Sequence, residues 1–219
     1  MHPVGEFWAD LNSLPASSYP PGTVPVREQI RGTAFFAGGA GLYLEDPDGP
    51  LPPFPFGGVM FVGHNLDAEE PFLERVRSGR AHGDRRWPMR TWLNLYKLLD
   101  GADLDPLECF FTNIYVGLRA GSHPVGAFPG ANDPVFKSWC RAFLYRQIGR
   151  MQPRAIIPLG AEARRFFGWP DLEPGSVDIE GLPTRYVCLA HPSMHPANVT
   201  RRGGVEAEII RLKDVATGA

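Results

Sequence analysis

Three short stretches of the chain put amides and imidazoles directly after apolar runs. Tyr186-Val-Cys-Leu-Ala190 discharges into "HPSMHPAN", which carries His191, Ser193 and a second His-Pro pair beginning at His195. The run from Val59 ends in Gly63-His64-Asn65-Leu66-Asp67, and the run from Cys109 passes through Thr112-Asn113-Ile114-Tyr115. A fourth, ending in Leu159-Gly160-Ala161-Glu162, carries no such group at its end. An asparagine amide offers a donor and an acceptor side by side, which suits reading the edge of a heterocycle, and an imidazole can stabilise an anion that develops as the heterocycle leaves. Each residue alone also has a plainer role, since Asn at a strand end is usually a turn or cap residue and a His before Pro can simply be a satisfied turn histidine.

Delivering those groups to one place requires a sheet whose strands all end on the same side. Apolar runs near 59–62, 109–116, 154–159 and 185–190 read as buried strands, and helical patterns separate them: "EEPFLERVRSG", "TWLNLYKLLDG" and "AEARRFFG", the last closed by Gly168. The plainest helix begins after Asp133 as N-cap with Pro134 in its first turn. It carries Phe136, Trp139, Cys140, Phe143, Leu144, Ile148 and Met151, and stops before Pro153. The expected fold is α/β, three layers with a central, mostly parallel four-stranded sheet, and the ligand site of such sheets lies beyond the carboxyl ends of the strands. Residues 1–57 are rich in Pro, Gly and aromatics, and are expected to form an irregular arm packed on the 58–219 domain, part of it a lid.

With 219 residues the chain suits one compact domain, and 43% hydrophobic and 21% charged residues are ordinary for a globular protein without membrane spans. A net charge of −2 gives no global basic footprint and argues against nucleic-acid binding by electrostatics alone. Two local groups, Arg75, Arg77, Arg80, Arg85, Arg86 and Arg90 in one segment and Arg201 with Arg202 in another, are either solvated surface or a phosphate-binding edge. The three cysteines are too scattered for a structural zinc or a disulfide framework, and the first residues carry no export or organelle signal, so a reducing cytoplasm is expected. No Gly-rich phosphate loop or carboxylate cluster for Mg²⁺ follows a strand, which disfavours a nucleotide hydrolase.

Taken in order, "FVGHNLD", "TWLNLYKLL", "FFTNIYVGLR", "FLYRQIGRMQPRAIIPLGAEA" and "HPSMHPAN" resemble the successive motifs of the uracil-DNA glycosylase superfamily over most of residues 58–203. The local likeness is strongest to the single-strand-selective monofunctional branch, whose first motif has Asn and whose last reads His-Pro-Ser. Asn65-Leu66-Asp67 stands where the classical branch has Asp-Pro-Tyr. An amide can orient water but cannot act as a carboxylate, and loss of the blocking Tyr leaves room for a 5-substituted base. Cys140 to Ile148 is similar to a helix of the iron-sulfur branch. Gly117, however, replaces a cluster Cys and no N-terminal Cys pair is present, so neither cluster, metal nor other cofactor is expected and Cys140 is read as a packing residue.

The resemblance implies roles for particular residues. His191 would donate to the base O2 and Asn65 would hold the attacking water. Asn113 would pair with the pyrimidine edge, beside His64, for which packing is the competing role. Phe72 or Trp87 would stack on the flipped base, with a core role as the competing reading for each and a Phe72 spacing from Asn65 shorter than the family usually shows. Met194 and His195 occupy the loop that enters the vacated stack, Ser193 would contact phosphate, and Arg201 and Arg202 would anchor the strand. His195 competes with His191 for the catalytic role. The implied activity is that of a monofunctional, monomeric DNA glycosylase acting on uracil or a modified pyrimidine in single- or double-stranded DNA. Two alternatives stand beside it: a defence enzyme excising hypermodified cytosine from phage DNA, and a non-catalytic module binding uracil or abasic DNA.

Overall fold

The computed structural model describes residues 2–30, 34–35, 40–44, 46, 49–79, 90–123, 126–170, 173–193 and 196–217, without the side chains of 196–198. In chain order the regular elements are α1 (Pro3–Ser13), β1 (Thr23–Val24), β2 (Val59–Asn65), α2 (Glu69–Ser78), α3 (Arg90–Gly101), β3 (Cys109–Tyr115) and β4 (Leu118–Arg119). They continue with α4 (Pro134–Met151), β5 (Ala155–Pro158), α5 (Ala161–Phe167), β6 (Gly175–Ile179), β7 (Leu182–Tyr186), α6 (Pro196–Arg201) and α7 (Gly204–Thr217).

The central sheet has five strands in the order β3-β2-β5-β7-β6. β3, β2, β5 and β7 run parallel, and β6 pairs antiparallel with β7 at the edge. The expected four-stranded sheet is therefore corrected to five. β6 escapes a search for apolar runs because its burial alternates along an exposed edge, as a half-solvated strand does. Glu180 and Gly181, with φ of 53° and 85°, turn it tightly into β7. The last strand also begins earlier than the apolar run predicts, and its ladder resumes where Leu189 N–H donates to Pro158 O and Gly160 N–H to Leu189 O.

Alternation along the buried strands divides the interior into two layers. Met60 and Val62 of β2 and Phe110 and Ile114 of β3 pack with α1, α2, α4 and α5, whereas Val59, Phe61, Cys109 and Phe111 pack with α3 and α7. Three layers result, as expected. Helix boundaries follow local chemistry: the Asp133 carboxylate accepts from Phe136 N–H to start α4, and Gly79 and Gly168 close α2 and α5 in left-handed conformations.

The first 57 residues depart from the expectation of an irregular arm. Pro3–Ser13 forms α1, whose Val4, Phe7 and Leu11 are core residues. Further on, Leu42 bridges antiparallel to Phe110 and Phe111 N–H donates to Gly41 O, so the arm covers the open edge of β3. Among the described residues, no helix is long and apolar enough to cross a membrane.

Candidate active site

The parallel register sets Gly63 of β2 opposite Asn113 of β3, and Asn65 opposite Tyr115. β7 lies on the far side of β5, and the chain leaving it arrives at His191 on the same edge. A cavity of about 100 Å³ opens there, lined by Asn65, Asn113 and His191 with Phe35, Gly63 and Trp92. It shares Asn65, Leu66, Leu159 and His191 with a wider groove of about 550 Å³, to which His64, Asp67, Arg75, Arg119 and Ser193 contribute.

His191 is held in a defined state. Its Nδ1 accepts from the Ser193 backbone N–H at 3.2 Å and lies 2.7 Å from Ser193 Oγ, so the ring proton of the neutral form belongs on Nε2. Burial, reinforced by the nearby imidazole of His64, lowers the His191 pKa below its ordinary 6.5. The ring is therefore neutral near pH 7 and still a donor. The His64 pKa is also lowered, chiefly by burial, with Glu162 opposing the shift and Arg119 adding to it.

The loop that bears His191 is clamped from three sides. Asn94 of α3 donates to Pro192 O at 2.6 Å, which ties the Leu-Asn helix to the His-Pro-Ser turn. Gly160 sits so close beneath His191 that an added Cβ would lie 3.0 Å from the His191 Cβ. Behind the strand end the buried Glu208 of α7 accepts from Ala190 N–H at 2.9 Å and from Arg202 Nε at 2.7 Å.

Asn113 is equally fixed. Only 2% exposed, it donates through Nδ2 to the carbonyl of Phe35, a residue in the left-handed region at φ 66°. Its Oδ1 lies over Gly63, where a side chain would overlap it. Phe35 meets Trp92 and Phe111 at ring distances of 5.5 and 5.3 Å, so an aromatic cluster backs the cavity. Asn65 faces both spaces, and its Oδ1 accepts from the Arg119 guanidinium at 3.3 Å.

Asn65, Asn113, His191, His64 and Ser193 thus gather around one cavity and its groove. Phe72 does not join them. It is 2% exposed in the core against α1 and α4, because the first turn of α2 faces the layer under the sheet, and the aromatic rings lining the cavity are those of Phe35 and Trp92. Arg202 is likewise not turned to solvent as a strand anchor, since its guanidinium is tied to Glu208 and to Cys188 O, whereas Arg201 is exposed at the end of α6. Ser193, read as a phosphate contact, has His191 Nδ1 as its partner. Met194, His195 and Trp87 lie outside the described residues. All three cysteines are buried thiols, with Cys140 pushed up to about 12 by its apolar surroundings. Among the described residues no three His, Cys, Asp or Glu side chains come together in a group that could hold a metal.

Three site residues carry weaker sequence signals. Arg119 is a lone cation ending an otherwise apolar stretch, "IYVGLR", and a buried charge there is the clue. Asn94 lies in a motif already quoted for its resemblance. Phe35 sits in "TAFFAGG", and nothing in that pattern marks it.

A family model of the uracil DNA glycosylase superfamily matches residues 55–210. The chain belongs to the uracil DNA glycosylase superfamily. No curated protein matches it. Membership makes the chain a DNA glycosylase in general kind, with DNA as its partner. Within this superfamily fold the matched region takes in every strand of the central sheet and the Asn65, Asn113 and His191 rim, while Phe35 comes from the segment before the match.

Proposed function

We propose that this superfamily member is a monofunctional glycosylase that draws uracil or a 5-substituted pyrimidine out of DNA and hydrolyses its N-glycosidic bond, leaving an abasic site. The observation that carries the reading is the fixed tautomer of His191, a neutral ring with Nε2–H at the cavity that Asn113 and Asn65 also line. As the bond from C1′ to the base nitrogen breaks, the electron pair goes to the base and accumulates on O2, where Nε2–H donates. Such a donor acts mainly in the transition state and contributes roughly 3 kcal/mol in a dry site. Asn113 reads the pyrimidine edge with its amide. Asn65 orients the water whose oxygen adds to C1′, and the water's second proton leaves to solvent because an amide cannot take it.

Two features support a base larger than uracil. Asp67 stands where a blocking Tyr would, and the cavity continues into the groove past Leu66. Among the described residues no lysine lines either space, which agrees with hydrolysis rather than lyase chemistry. The test is a panel of single- and double-stranded oligonucleotides carrying uracil, 5-substituted uracils or modified cytosines, with abasic sites cleaved by alkali. Strand cleavage for a uracil or 5-substituted uracil that is lost in His191→Ala supports the reading. Cleavage confined to modified cytosine favours a defence role, and tight binding without base release favours a non-catalytic module.

A further inference from the structure

Arg119 is 6% exposed, yet no carboxylate pairs with it among the described residues. Its NH1 donates to Ala127 O at 2.6 Å, and its NH2 to Gly126 O at 2.6 Å and to Asn65 Oδ1 at 3.3 Å. The guanidinium also lies 5.6 Å from the Phe128 ring centroid. Its backbone is pinned as well: Arg119 N–H donates to Asp67 O, and β4 pairs with β1. A buried cation bonded only to neutral acceptors is costly to maintain, and its Nε has no hydrogen-bond partner among the described residues. Its two terminal nitrogens are fixed, with one acceptor in the site.

We infer that Arg119 is a positioning residue that sets the orientation of the Asn65 amide, holding its oxygen toward the groove and its nitrogen on the opposite prong. This rests on the proposed role of Asn65 in holding the attacking water. A charge-assisted bond is roughly twice as strong as one between neutral groups, so it favours one of the two amide orientations that are otherwise nearly equivalent. One lone pair of Oδ1 goes to Arg119 and the other is left for water. The same contact accounts for an amide at this position. A carboxylate at residue 65 would be claimed by Arg119 as an ion pair, and its basicity would fall.

The test uses the full chain in two arms. In the first, single-turnover release of base from a uracil oligonucleotide is measured for wild type, Arg119→Gln, Asn65→Ala and the double variant, with oligonucleotide affinity measured alongside. Arg119→Gln is expected to slow release about tenfold while changing affinity less than about twofold, and to have almost no further effect once Asn65 is Ala. An equal loss in both backgrounds overturns the inference, because it marks a merely structural arginine. If Asn65→Ala releases base at the wild-type rate, the proposed role of Asn65 fails instead. The second arm needs no turnover. In protein labelled with ¹⁵N-asparagine, the side-chain NH₂ pair that disappears in Asn65→Ala is expected to shift in Arg119→Gln, and an unshifted pair overturns the inference whatever the activity. Should Arg119→Gln fail to fold, Arg119→Lys, which keeps the charge but not the three-way reach, is read by the same rules.

Discussion

The inner cavity and the outer groove share Asn65 and His191 but are organised differently. Inside, polar groups are held by backbone: Asn113 by the Phe35 carbonyl, and the imidazole of His191 by Ser193 N–H. In the groove, charged side chains hold one another or the ends of loops. Arg75 pairs with Asp67, and Arg119 bonds the carbonyls of Gly126 and Ala127. Backbone partners have no rotamer freedom of their own to lose, so the cavity is preorganised at little further entropic cost. Groove side chains must be ordered one by one. The contrast divides the labour: the cavity discriminates and reacts, and the groove accommodates a flexible polymer.

The largest effect that could break this division is expected at His191. His191→Ala should lower the single-turnover rate by about 10²–10³-fold, the loss typical of one transition-state donor, with oligonucleotide affinity nearly unchanged. Equal loss of affinity and rate would show that the imidazole serves binding, and the division would fail.

Gly63→Ala comes next. The new methyl would overlap Asn113 Oδ1, and overpacking of this kind costs about 1–3 kcal/mol. Thermal unfolding should report that loss, and discrimination between uracil and cytosine should weaken because the displaced amide no longer presents a fixed edge. A stable variant with unchanged discrimination would mean that Asn113 is not read by the base.

Asn94→Ala removes one hydrogen bond to Pro192 O and is expected to cost about 1 kcal/mol, seen as a several-fold lower rate at normal affinity. The smallest expected effect is that of pH. Because the His191 pKa is lowered, chiefly by burial, the neutral ring persists below the ordinary value, so activity should be flat from pH 8 down to 6.5 and decline only below it. The stability linkage has the same sign: a buried neutral histidine favours the fold above 6.5, and that contribution fades as acid protonates the unfolded chain. An acid limb at or above 6.5 in the profile of kcat/KM would indicate a charged imidazole in the active form.

Much of this was legible before any coordinates because the signals are local and periodic. The apolar runs around Phe61, Phe111 and Ile157 could only be buried strands, and Asp133 with Pro134 could only begin a helix, so the order of strands and helices followed. Strand ends then singled out Asn65, Asn113 and His191, since a parallel sheet delivers its carboxyl ends to one edge. β6 was not legible, because an exposed edge strand lacks the apolar run, and α1 was obscured by the Pro and Gly around it. Phe72 misled for a related reason: an aromatic shortly after Asn65 suits stacking, although the spacing is shorter than the family usually shows, and its helical phase turns it into the core.

The sequence by itself determined which chemical groups stand at the strand ends, because side-chain alternation and strand termination are properties of a few consecutive residues. Only the tertiary structure decided how those groups are oriented. Phe35, Asn94, Arg119 and Glu208 act from 78, 98, 54 and 18 residues away on Asn113, Pro192, Asn65 and Ala190, and no local pattern encodes a hydrogen bond between segments that meet only after the chain has folded.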